Sequence, residues 1–152
     1  MERQVAAIAT TAQVAHRVDN WEDAVRGASR LLEDLRVASA DYTDACVQSV
    51  KDNGPYIVLS PGIAIAHARP EQGAQGLGIT VLLLREAVRF GHETNDPVDV
   101  VFALATPDSD AHVGALGVLA KALRDGLANQ LRDSLTAAEV ATVLSRAVEN
   151  DI

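Results

Sequence analysis

Two histidines in this chain stand where side-chain chemistry is easily placed. His67 closes the stretch Ser60-Pro61-Gly62-Ile63-Ala64-Ile65-Ala66-His67-Ala68-Arg69-Pro70, and His112 follows the polar run Asp108-Ser109-Asp110. An imidazole with one ring nitrogen held by a hydrogen bond is a nucleophile through the other. Phosphoryl transfer to such a nitrogen rests mainly on positioning and charge stabilisation, and in principle needs no metal. A helix N-terminus beside it, with free N–H groups and a partial positive charge, suits an anion such as phosphate. The same field disfavours imidazolium, so a histidine in that first turn tends to the neutral form and can donate one N–H.

Residue types alone leave other readings open. Each histidine is as compatible with a structural role as with a chemical one. His67, His92 and His112 with Asp96 or Asp110 supply metal-ligand types, but no tight His-x-His, His-x₃-His or cysteine spacing is present. A serine hydrolase lacks its G-x-S-x-G elbow. Walker and dinucleotide fingerprints are absent, since Gly73-Ala-Gln-Gly76-Leu-Gly78 neither follows a strand nor opens a helix.

The elements that must position these groups follow from periodicity. With a period of two, Ile63, Ile65 and His67 point one way and Ala64, Ala66 and Ala68 the other. Such a strand can lie close under a helix on its alanine face and deliver an imidazole at its end. His112, Leu116, Leu119 and Leu123 form one helical stripe, so His112 is expected to point inward toward the sheet. Residues 3–18 read ambiguously: Val5, Ile8, Ala9 and Ala12 have helical spacing, whereas Val14 and Val18 around His16 suit a strand. His16 is expected to be structural or solvent-facing.

Asn20 reads as an N-cap for a helix with Trp21, Ala24, Val25, Ala28, Leu31, Leu32 and Leu35 inward. A second helix is expected over 41–52, with Tyr42, Ala45, Cys46, Ser49 and Val50 inward, ending at Asn53-Gly54-Pro55. Tyr56–Leu59, Ile79–Leu84 and Val98–Ala105 read as strands, Val88–Phe90 as a further short edge, and 70–78 and 92–97 as loops. Val98–Ala105, apolar on both faces except at Asp99, reads as a central strand. Asp108 or Asp110 caps the next helix. Thr136 and Glu139 form a capping box, with Leu135 and Val140 placed for a hydrophobic staple. Helices at both ends around a strand-rich middle make this an α/β protein with one sheet covered on both faces.

The 152 residues fit one domain over 1–152. Apolar residues make up 48%, enough for a core, but aromatics only 3%, which argues against stacking on single-stranded nucleic acid. A net charge of −8 repels nucleic acid and acidic lipid and favours a basic protein partner. The single cysteine, Cys46, excludes an internal disulfide framework and reads as a small buried hydrophobe. No apolar run spans a bilayer and no signal-peptide pattern opens the chain, so a soluble, cytoplasmic protein is expected.

Gly62-Ile-Ala-Ile-Ala-His67-Ala-Arg-Pro70 resembles the phosphorylation-site segment of the mannitol/fructose-type enzyme IIA domains of the bacterial phosphoenolpyruvate-dependent sugar phosphotransferase system. So do Gly54-Pro55-Tyr56-Ile57-Val58, Arg69-Pro70-Glu71-Gln72-Gly73, Phe90-Gly91-His92, Asn95-Asp96-Pro97-Val98 and Asp110-Ala-His112 with its leucine stripe. The wording is most similar to the ascorbate-specific branch, and the resemblance covers residues 20–148.

The resemblance implies a mixed sheet with helices on both faces and no cofactor or metal. It implies that His67 takes a phosphoryl group from phospho-HPr and passes it to enzyme IIB, and so indirectly to membrane enzyme IIC. His112 then orients or stabilises that group. The oligomeric state stays open, a homodimer included. Two departures stand out. Ala66 replaces the usual proline, which frees the backbone before the histidine. Lys51 is the nearest counterpart of an arginine in mannitol-type members, with Arg69 the other nearby cation. His92 and Asn95 belong to a loop that either borders the site or only bonds to itself. Alternatives are a regulatory module on the same fold and, from another class, a metal-binding or hydrolytic enzyme.

Overall fold

The apolar strands in the middle of the chain are satisfied by a sheet buried on both faces. The computed structural model describes residues 7–149. Five strands, β1 (Ala9–Ala15), β2 (Val58–Ser60), β3 (Ile63–Ala66), β4 (Gly78–Val88) and β5 (Val98–Ala105), form one sheet in the order β1-β4-β5-β3-β2. The pairs β1–β4 and β3–β5 are parallel, whereas β4–β5 and β2–β3 are antiparallel. This mixed α/β sheet, with β5 at its centre, is the expected fold class.

Helices α1 (Trp21–Asp34) and α2 (Ala40–Asn53) cover one face. The other face carries α3 (Ser109–Arg124), α4 (Leu127–Arg132) and α5 (Ala137–Glu149). The period-two reading of β3 holds. Ala64, Ala66 and Ala68 lie in the core with α1 and α2, and Ile63 and Ile65 in the core with α3–α5. Small residues face one another across the first layer, Ala24 and Ala28 of α1 against Ala64, Ala66, Ala103 and Ala105 of the sheet. The approach at Gly27 of α1 is so close that a Cβ there would stand 2.8 Å from Leu82 Cδ2.

Helix ends follow their local chemistry. Asn20 Oδ1 accepts from Asp23 N at 2.8 Å, and Asp108 Oδ1 accepts from Ala111 N at 2.8 Å. Gly54, at φ 83°, stops α2 and donates its N–H to Val50 O.

Several expectations are corrected. Of the ambiguous opening segment, Val5 lies outside the described residues, and residues 9–15 form strand β1, paired to β4. Val88 ends β4 instead of starting a separate edge, because the ladder resumes at Val88–Val98 after an irregularity. Helix α4 was not expected, since six residues are too few to establish a helical period. Thr136 Oγ1 accepts from Glu139 N at 3.1 Å, the expected half of the capping box, but Glu139 Oε2 accepts from Leu135 N instead of Thr136 N, and Leu135 is 78% exposed, so no staple closes. His16 is solvent-facing, as expected, with Nε2 4.0 Å from Glu86.

Turn Ser60–Gly62 is held from three sides. Gly62 takes φ +79° and donates to Asn95 O, while its own carbonyl accepts from both Asp99 N and Val100 N. Asp99, the polar exception in β5, accepts two bonds from Arg132 at 2.8 and 2.9 Å. A Cβ at Gly62 would stand 2.7 Å from that guanidinium and 3.1 Å from Asp99 Oδ1, so a side chain here would push on the Arg132–Asp99 pair in addition to straining φ.

Candidate functional site

The site is built at the end of β3. Past Ala66, which lies in the ladder opposite Ala103, the chain leaves the sheet and presents His67 half-buried at its rim. His67 Nδ1 lies 2.9 Å from Ile65 O. A carbonyl only accepts, so Nδ1 carries the proton and, in the neutral ring, the lone pair is on Nε2.

The backbone immediately beyond is fixed by Tyr42 of α2. Its buried hydroxyl donates to Leu104 O at 2.6 Å and accepts from Ala68 N at 3.1 Å, joining β3's exit to β5. Burial pushes that phenol well above its ordinary pKa, so it stays protonated and keeps donating. Tyr42→Phe is expected to leave the buried Ala68 N–H without a partner and to cost about 1–3 kcal/mol. Chemical denaturation checks this, with an unchanged midpoint counting against it. Cys46, one turn along α2, is likewise buried, and burial pushes its thiol up to about 12, so it is an inert hydrophobe as expected.

From the other layer, α3 brings His112. The two imidazole centroids are 5.4 Å apart, with planes inclined by 52°. His112 is half-buried at the cleft mouth, whereas Leu119 further along the same stripe is fully buried. Its pKa lies below the ordinary histidine value, chiefly from desolvation and secondly from His67, so the ring is held neutral. Ser109, His112 and Val113 turn the positive end of α3 toward a cleft of about 570 Å³. The cleft is also lined by Ser49, Asn53, Tyr56, His67 and Arg69. A ring nitrogen left free by the Ile65 O bond, the neutral imidazole of His112, a helix N-terminus and a guanidinium together suit a tetrahedral anion bound to His67. Among the described residues no three His, Cys, Asp or Glu side chains are grouped to hold a metal ion.

The model of the phosphoenolpyruvate-dependent sugar phosphotransferase system EIIA 2 family matches residues 9–147. The chain belongs to that family. An ascorbate-specific EIIA component from Shigella boydii is 34% identical, over 84% of each chain. A cryptic mannitol-specific enzyme IIA component from Escherichia coli is 33% identical, over 88% of this chain and 90% of that one. The solution structure of the Escherichia coli cryptic mannitol-specific enzyme IIA has a TM-score of 0.79 at 32% identity, covering 90% of this chain and 92% of that one. The protein is therefore an enzyme IIA phosphotransferase component, and such proteins carry phosphoryl groups on a histidine.

Within this enzyme IIA the expected site residues separate into two groups. His67, His112 and Arg69 share the cleft. Lys51, exposed on α2, does not line it, and neither do His92 or Asn95. His92 Nδ1 accepts from Thr94 N and Asn95 N, and Asn95 Nδ2 donates to Val58 O. Those bonds shape the loop that supports the Gly62 turn. Ala66 is 1% exposed and sits within β3, so sheet pairing restrains the residue where the family's usual proline would. Tyr56 and Asn53 line the cleft without having been singled out, and nothing in the short β-prone run at Tyr56 signals its proximity to His67. No helix among the described residues is long and apolar enough to cross a membrane.

Proposed function

We propose that His67 accepts a phosphoryl group through Nε2 from phospho-HPr and passes it to enzyme IIB, as the cytoplasmic carrier of a sugar uptake system. The observation that carries this reading is the Nδ1 bond to Ile65 O beside His112, which leaves Nε2 as the free nitrogen in a shared cleft. In the first step Nε2 attacks phosphorus, the donor's P–N bond breaks, and the electron pair returns to the donor imidazole. In the second step the enzyme IIB nucleophile attacks phosphorus, the Nε2–P bond breaks, and its electron pair returns to the His67 imidazole. His112 donates its N–H to a phosphoryl oxygen, and the Arg69 guanidinium and the α3 N-terminus offset the remaining charge.

Arg69 takes this role in preference to Lys51 because it lines the cleft and Lys51 does not. His92 and Asn95 act at one remove, through the turn before β3. Residues 1–152 act as one enzyme IIA domain, a reading supported by the family match over 9–147. The net charge of −8 favours basic faces on both protein partners. For the sugar, the ascorbate-specific relative supports ascorbate, delivered by membrane enzyme IIC.

Incubation with phosphoenolpyruvate, enzyme I and HPr, followed by intact-mass measurement, is expected to show one acid-labile phosphate per chain. An unmodified wild-type protein would end the carrier reading. Transfer onward to an ascorbate-type enzyme IIB in preference to a mannitol-type one tests the sugar.

A further inference from the structure

The chain holds one Trp, two Tyr and two Phe. Trp21, Tyr42, Phe90 and Phe102 are packed into or against the two cores. Tyr56 stands apart from them, 42% exposed, beside the site. Its ring meets the His67 imidazole edge-to-face, with centroids 5.8 Å apart and planes at 87°. The same imidazole also meets His112, with centroids 5.4 Å apart. Tyr56 is itself pinned: its hydroxyl and Ser49 Oγ on α2 are 2.6 Å apart, and its N–H donates to Gly54 O at 2.8 Å. Asn53 Nδ2 in turn donates to Ser49 O, closing the last turn of α2 around that serine.

This arrangement addresses a weakness in the site. The final torsion of a histidine is soft and roughly two-fold, so a ring flip is sterically easy. A flip at His67 would break the bond from Nδ1 to Ile65 O and turn a carbon toward the cleft where Nε2 should be. One hydrogen bond at a half-exposed rim is a modest restraint. An edge-to-face aromatic partner adds a second that depends on ring orientation.

We propose that Tyr56 is a positioning residue: its ring, set edge-to-face against His67, holds the imidazole in the orientation that leaves Nε2 free toward the cleft. This rests on the reading of His67 as phosphoryl acceptor. It acts through His67 and requires no contact between Tyr56 and the phosphoryl group.

Two measurements test it, neither of which needs a protein donor. The first is the His67 tautomer in the unphosphorylated protein, read from imidazole ¹⁵N shifts. The second is the initial rate of labelling by phosphoramidate, in which the histidine nitrogen attacks phosphorus, the phosphoramidate P–N bond breaks and ammonia leaves. Tyr56→Ala is expected to raise the Nε2–H tautomer and slow labelling about fivefold, whereas Tyr56→Phe, which keeps the ring, stays within about twofold of wild type. Tyr56→Leu keeps bulk without a flat wall and is expected to behave like the alanine variant, which separates orientation from folding. The proposal is overturned if Tyr56→Ala matches wild type in both measurements, or if Tyr56→Phe falls as far as Tyr56→Ala. A wild-type protein that phospho-HPr cannot label, with the tautomer shift still present in Tyr56→Ala, overturns the carrier reading and leaves the positioning role standing.

Discussion

Replacing His67 by alanine is expected to abolish phosphorylation by phospho-HPr and all onward transfer to enzyme IIB, while the protein still folds. The nucleophile is the one group in this reaction that no neighbour can replace. His112 is 5.4 Å away between ring centres, but burial holds it neutral mainly to donate, and it approaches the cleft from α3 and not from the strand end. His92 has its Nδ1 committed to two backbone N–H groups, and His16 lies just past the far edge strand beside Glu86. His67 is half-buried at the sheet's rim, so its removal opens no core cavity and the melting temperature should change little. Intact-mass measurement of His67→Ala beside wild type decides the matter, and equal labelling would show that another residue is the acceptor.

The second large effect belongs to His112. His112→Ala is expected to slow transfer through His67 about a hundredfold, the cost of losing one preorganised donor to a charged oxygen. Rapid-quench measurement of both half-reactions checks this, and unchanged rates would remove the assigned role. Its pH behaviour is a separate signature. Because the folded-state pKa is lowered from the ordinary 6.5, the unfolded chain binds more protons in the window just below that value. The contribution to stability is therefore full above about pH 6.5 and is lost as pH falls toward the lowered folded value. His112→Gln is expected to flatten that part of the stability profile. A slope as steep as that of wild type would locate the titrating group elsewhere.

Much of this site is legible in the residues themselves. The two-residue period of Ile63–Ala68 placed the alanines against helices and His67 at a strand end, and the stripe through Leu119 brought His112 to the same end of the sheet. Those are short-range patterns with fixed geometry, and tertiary packing had only to honour them. Strand β1 was obscured because its alanines disfavour a strand while its threonines favour one, and its pairing to β4 is a long-range event. Helix α4 was too short to declare a period.

The roles of Lys51 and Arg69 could not be separated by counting, since one lies on the outward face of α2 and the other just past β3. Tyr56 is the sharper case. Its hydroxyl reaches back seven residues to Ser49, and its ring forward eleven to His67, so neither contact leaves a local trace. Ala66 shows the converse. A missing proline suggests a looser site, but the ladder opposite Ala103 and the bonds of Tyr42 restrain the same backbone by other means.

The central claim is that Nε2 of His67 is the acceptor atom, and one measurement addresses it directly. With ¹⁵N-labelled histidine, the phosphorylated protein should show ³¹P–¹⁵N coupling at the Nε2 of a single residue, His67, with Nδ1 still protonated toward Ile65 O. Coupling at Nδ1 of His67, or at any nitrogen of His112 or His92, would contradict the account.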